Sequence, residues 1–209
     1  MGVKAGTAVR EKGQERVETI LDAAMSLLIE EGYSGLSLRK ISASAGIQLG
    51  HVQYYFPIKR DLLRAMLDRW LTNFRTTISA QVNQTNDSGV PALDRLLNVV
   101  ELSLKDMRTP MGSIMIWEIW ALAPRDPFIE QLMDNLYKDL RADYRKLLQE
   151  HNKNLTTKRA HLITAALSSL IEGSSLYIGY GKKRERNLAN LDKEILRSAR
   201  AIIEANDNL

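Results

Sequence analysis

Between Gly32 and Arg60 the chain carries Arg39, Lys40, Lys59 and Arg60 and no aspartate or glutamate, although acidic residues are frequent elsewhere. Cations with no carboxylate among them suit a surface that approaches phosphates. Polar and aromatic groups, Gln48, His51, Gln53, Tyr54 and Tyr55, cluster in the same stretch. A second group of residues lies at 111–123, MGSIMIWEIWALA, where Trp117, Glu118 and Trp120 sit in an apolar run. A carboxylate there is costly unless it is paired or exposed, and the indoles could stack on a cation. Glu172, in a second apolar run, raises the same question. Met and aromatic residues at helical spacing are equally the material of an ordinary core.

The elements that must position the first group are two short helices. Leu38, Ile41 and Ala45 recur at three and four residues, one face of a helix, and Ser37 is a fitting N-cap. Gly46 can take the left-handed conformation that ends a helix, and Ile47 can pack back inward. A second short helix, about 48–55, stops before Pro57. Two helices around a short glycine turn form a helix-turn-helix, whose second helix enters the DNA major groove. An ordinary helical hairpin with solvated outer residues would show the same turn; the missing carboxylates favour DNA.

Residues 16–71 resemble the DNA-binding domain of the tetracycline-repressor (TetR) family of bacterial transcription regulators. The likeness rests on ILDAAMSLLIEEGYSGLSLRKISASAG followed by HVQYYFPIKRDLL. The long first helix ending in Gly32-Tyr33, the turn at Ile41…Ala45-Gly46-Ile47, and Tyr55-Phe56-x-x-Lys59-x-x-Leu62 agree in order and spacing. Gln48 stands where Ser or Thr usually caps the recognition helix, and Gln53 where the family has an aromatic. Both are polar and can reach DNA, so these departures bear on which operator is read. The resemblance implies that Arg39 reaches a base edge, for which a guanine suits its paired donors. It implies a reading face of Gln48, Leu49, His51, Gln53 and Tyr54, with Ser37, Tyr55 and Lys59 holding phosphates. Val52 and Phe56 belong to packing.

The whole chain is compatible with such a partner. Its 209 residues suffice for one large or two small domains, and a net charge of +4 permits a polyanionic partner without requiring one. With no cysteine, disulfides and thiolate metal sites are excluded. The N-terminus lacks the apolar run of a signal peptide, and no apolar window of about 18 residues is long enough to cross a membrane. A cytoplasmic protein is the simplest expectation. His51, His151 and His161 are scattered, and neither a metal-ligand spacing, a phosphate-cradling glycine loop nor a Gly-x-Ser-x-Gly elbow occurs. No enzyme chemistry, cofactor or metal is therefore expected.

Taken in order, residues 1–13 read as a disordered tail whose Lys4, Arg10 and Lys12 could form a basic arm. Helices are expected at 14–31, 59–85 (ending near Asn86), 91–107, 111–122, 127–150, 156–179 and 191–206, with a turn at Asp87-Ser88-Gly89-Val90-Pro91 in which Pro91 suits the first position of the next helix. Lys59, in a helix's first turn, lies where free N–H groups already favour an anion. The fold class is all-α, about nine helices, with a helix-turn-helix domain at 1–60 and a ligand-binding and dimerisation domain at 61–209. The 156–179 segment is small and apolar nearly all round, as for a helix buried on all sides. With 191–206 it could build a four-helix bundle across a two-fold axis, or an intrachain core. The family dimerises through its last two helices and binds a small inducer in this domain. Trp120-Ala121 and Pro127 resemble the branch of betaine- and choline-responsive repressors. An amphipathic or cationic effector touching Trp117, Glu118, Trp120 and Tyr177 is the resulting expectation.

The reading is a homodimeric regulator, a repressor released from a double-stranded DNA operator by a small-molecule effector. The alternative is a helical DNA-binding or protein-interaction module without an effector.

Overall fold

The computed structural model describes residues 4–83, 89–183 and 185–205. Among them every long element is a helix: α1 Lys4–Gly35, α2 Leu38–Ala45, α3 Leu49–Tyr55, α4 Lys59–Val82, α5 Ala92–Asp106, α6 Pro110–Leu122, α7 Pro127–His151, α8 Thr157–Ile178 and α9 Leu191–Glu204. Short 3-10 turns follow α6 and precede α9. The order and number of helices agree with the periodicity.

Two expectations are corrected. The segment expected to be a disordered tail is helical from Lys4 onward, as a continuation of α1. The regular helix breaks at Gly32 as expected, because Gly32 takes φ 68°, ψ 178°, non-helical backbone open to glycine alone, and a separate helical turn runs on to Gly35. Pro91 is the N-cap of α5 rather than its first residue. The predicted end of α4 near Asn86, the Asp87-Ser88 part of the turn and the last residue of the 191–206 helix lie outside the described residues.

The caps explain most boundaries. Ser37 accepts the Lys40 N–H at 3.2 Å, Thr109 that of Gly112 at 2.9 Å, Asp126 that of Phe128 at 3.0 Å and Thr156 that of Arg159 at 3.2 Å. Each hydroxyl or carboxylate satisfies a first-turn donor that the helix itself cannot.

The chain forms two compact units, divided between Thr72 and Asn73, inside α4. The sequence had suggested a division at residue 60, where that helix starts. In the first unit Ile20, Ala24 and Leu28 of α1 are buried, as are Ile41 of α2, Val52 of α3, and Leu62, Met66 and Leu67 of α4. Arg69 fastens α4 to α1 through Glu18 at 2.8 Å and Asp22 at 2.9 Å. In the second unit Leu96, Val99 and Val100 of α5, Tyr144 and Leu147 of α7, Ile163, Leu167 and Ile171 of α8, and Ile195, Ala199 and Ile203 of α9 share one core. Arg95, buried in that core, pairs with Glu150 of α7 and donates to the Val82 carbonyl at 3.1 Å. It thereby satisfies a carbonyl at the end of α4 that has no donor in its own helix.

Candidate functional site

The reading element of the first unit is the seven-residue α3. Gly46 closes α2 in the left-handed conformation (φ 65°, ψ 24°), and the Ile47 N–H donates to the Ser42 carbonyl at 3.1 Å. The Ser42 hydroxyl bonds back to the Ile47 carbonyl at 2.7 Å, so the turn is held from both sides. Gln48 is the N-cap of α3, and its carbonyl accepts the N–H groups of His51 and Val52; its side chain makes no cap bond. Val52 and Phe56 are buried, which anchors one side of the short helix. Gln48, His51, Gln53 and Tyr54 are exposed, Tyr54 at 79% of its surface; Leu49 and Tyr55 are half-buried. The rings of Tyr54 and Tyr55 meet edge to face at 5.2 Å.

On α2, Arg39 is exposed, while Lys40 pairs with Glu31 of α1. Ser37 is half-buried as the cap of α2. Lys59, the residue assigned to phosphate from its place at a helix start, is half-buried. Its ammonium donates to the Tyr33 carbonyl and lies 3.7 Å from the centre of the Tyr33 ring. It therefore ties the start of α4 to the end of α1.

In the second unit a pocket of about 480 Å³ opens between α6, α7 and α8. It is lined by Trp120, by Tyr137 and Arg141 one turn apart on α7, and by Ser168, Glu172 and Gly173 among others of α8. The Trp120 Nε1 donates to the Tyr137 hydroxyl at 3.2 Å. Burial pushes the Glu172 carboxyl up to about 7, against the opposing pull of the Tyr137 hydroxyl and with a further push from Asp106. Burial, and then the Glu172 charge, raise the Tyr137 hydroxyl, which stays protonated. Among the described residues Oε2 of Glu172 is buried with no hydrogen-bond partner. A carboxylate so placed suits a positive group beside aromatic faces.

Of the four residues expected to touch an effector, only Trp120 lines this pocket. Trp117 turns to α8, where its Nε1 donates to Ser175 at 3.3 Å and its ring crosses Gly179 so closely that a Cβ there would lie 2.7 Å away. The ammonium of the chain's own Lys182 lies 5.5 Å from the centre of its ring. Glu118 is half-buried elsewhere on α6, and Tyr177 is exposed on α8. Tyr137, Arg141 and Ser168 carry no local signal, since polar residues on amphipathic helices are ordinary. Glu172 did carry one, as a charge within an apolar run.

The sequence and the fold match known proteins. A family model described as bacterial regulatory proteins, tetR family, matches residues 20–66, and one described as BetI-type transcriptional repressor, C-terminal, matches residues 92–197. The chain belongs to the TetR family. An uncharacterized HTH-type transcriptional regulator of Xanthobacter autotrophicus is 32% identical over 133 residues, covering 62% of this chain and 63% of that protein. The HTH-type transcriptional regulator BetI of Cronobacter sakazakii is 25% identical over 163 residues, 76% of each. A transcriptional regulator of Saccharomonospora viridis, solved in complex with choline, superposes with a TM-score of 0.72 at 20% identity, covering 92% of this chain and 97% of its own. As a TetR-family regulator the chain is not expected to catalyse a reaction. No helix among the described residues is long and apolar enough to cross a membrane.

Proposed function

We propose that this TetR-family chain is a homodimeric cytoplasmic repressor that leaves its operator when an organic molecule with a positive centre enters the α6–α7–α8 pocket. One observation carries the DNA half of this reading. The short α3 holds Val52 and Phe56 inward and shows Gln48, His51, Gln53 and Tyr54 outward, in a stretch free of carboxylates. Those residues, with Leu49, supply groove contacts, and Arg39 supplies a base contact from α2. Ser37 and Tyr55 supply phosphate contacts. Lys59 adds positive charge near the backbone while it holds the α1–α4 junction.

Support for the dimer comes from α8. Leu162, Ala165, Ser169, Gly173 and Leu176 recur at three and four residues, and all are exposed. The expected all-round burial is therefore missing along one stripe of this apolar helix. An exposed mid-helix glycine costs about 1 kcal/mol relative to alanine. Among the described residues nothing beyond its chain neighbours and its own helical backbone lies within 4 Å of where a Gly173 Cβ would stand, so that packing does not require glycine there. A second copy's helix approaching closely does. Ala165, Ser169 and Gly173 also line the pocket, so effector and partner meet the same helix face. A C2 pair places two α3 helices for successive major grooves.

For the effector, the pairing of Trp120 and Tyr137 with the Glu172 carboxylate favours a cationic centre, in keeping with the choline held by the Saccharomonospora viridis regulator. Electrophoretic shifts on DNA upstream of the protein's own gene, with and without a panel of quaternary amines, test the whole reading. The expected outcome is a shifted band that a quaternary amine releases. A band that forms but ignores every amine would favour a DNA-binding module without this effector, and no band would count against operator binding.

A further inference from the structure

The pocket holds charges of both signs. Glu172 of α8 and Arg141 of α7 line the same space, and no ion pair joins them among the described residues. Two opposite charges left apart in one partly buried pocket are costly, and each keeps its own demand for a counter-charge. Tyr137, whose hydroxyl adjoins the Glu172 carboxylate, precedes Arg141 by one turn on α7. At a rise of about 1.5 Å per residue their Cα atoms lie about 6 Å apart along the helix.

We infer that the effector of this pocket is a zwitterion. Its quaternary or protonated amine sits against Trp120, Tyr137 and Glu172, and its carboxylate reaches Arg141. This rests on the reading of the pocket as the effector site and goes beyond it by requiring a negative group. Arg141 is suited to that role because a guanidinium presents paired donors to a carboxylate. A ligand with only a positive charge satisfies Glu172 but leaves the guanidinium unmatched. A ligand with only a negative charge does the reverse. The molecule 4-trimethylammoniobutanoate carries both groups on one short chain and serves as the probe.

Calorimetry on the full chain with three ligands of one shape tests this. They are 4-trimethylammoniobutanoate, its methyl ester (a monocation) and 5,5-dimethylhexanoate (the monoanion in which carbon replaces nitrogen). The zwitterion should bind at least about tenfold tighter than either analogue, each lost charge-assisted bond being worth about that much. Arg141→Gln should bring the zwitterion down to the level of the ester and leave the ester unchanged. Arg141→Lys should keep part of the preference, and Glu172→Gln should weaken zwitterion and ester together. Melting of each unliganded variant checks that it is folded. A wild type that binds the ester as tightly as the zwitterion, or binds none of the three at millimolar concentration, overturns the inference; so does a folded Arg141→Gln variant that keeps the preference. Operator binding is measured on the same samples. Its loss from the wild type counts against the repressor reading, whereas intact operator binding without ligand preference removes only the zwitterion.

Discussion

The indole of Trp120 donates its proton to the hydroxyl of Tyr137, joining the end of α6 to the middle of α7 across 3.2 Å. The bond orients the hydroxyl so that its own proton is available to Glu172, and it holds both aromatic faces at the pocket. Trp120→Phe keeps a ring but removes the donor. Affinity for a trimethylammonium ligand should fall by about 1 kcal/mol, the ordinary net value of one such bond. A titration showing unchanged affinity in Trp120→Phe would remove this bond from the account of the site.

Glu172 should make stability depend on pH. Its carboxyl titrates near 7 in the folded protein against 4.5 ordinarily, so the folded state binds more protons between those values. The contribution is fully present below the ordinary value and is lost as pH rises through 7. The groups facing it are Tyr137, Arg141 and Tyr144 from α7 and Asp106 at the end of α5, with Trp120 from α6. Glu172→Gln should therefore raise the Tm at about pH 8 and change it little at about pH 5. Parallel Tm curves for variant and wild type across that range would contradict the assignment. A cationic ligand favours the charged carboxylate, so its binding should strengthen with rising pH and release a proton near neutrality.

The buried Arg95 is held by Glu150 and by the Val82 carbonyl. Glu150→Ala removes the carboxylate from a guanidinium that is 2% exposed. Loss of one partner of a buried pair typically costs about 3–5 kcal/mol, and Glu150's partial exposure favours the lower end. Denaturant unfolding measures this directly. The end of α4 should also exchange its amide protons faster, because one of its terminal carbonyls loses a fixed donor.

Arg39 and Lys59 should separate in DNA binding. Arg39→Ala should cost about 1–3 kcal/mol and relax preference at a single base pair. Equal operator affinity of wild type and Arg39→Ala would refute the base contact. Lys59→Ala should weaken all sequences alike and flatten the salt dependence. Because Lys59 also bonds Tyr33, it should lower the Tm as well, which Arg39→Ala should not.

Gly173→Arg places a bulky cation on the exposed stripe of α8, where the chain itself has room for it. Sedimentation at micromolar concentration should show the variant as monomer and the wild type as dimer. A dimeric variant, or a monomeric wild type, would take α8 out of the interface.

The helices themselves were legible without coordinates because their signals are local. The four-residue repeat of Ile20, Ala24 and Leu28, the caps Ser37, Asp126 and Thr156, and the stop at Gly46 each act within a turn or two of chain. The outward face of α3 followed for the same reason: once Val52 and Phe56 are inside, a seven-residue helix leaves little choice for the rest. The local rules were misleading where two segments of chain meet. Lys59, at a helix start, meets the carbonyl and ring of Tyr33 from the end of α1 before it meets a phosphate. The pocket was the least legible part. Trp117 and Trp120 differ by less than one turn, yet one is turned onto Gly179 and the other onto Tyr137. Periodicity says which side of a helix is apolar, but not which neighbour stands opposite; only the packing of α6, α7 and α8 brought Glu172 and Arg141 into one space.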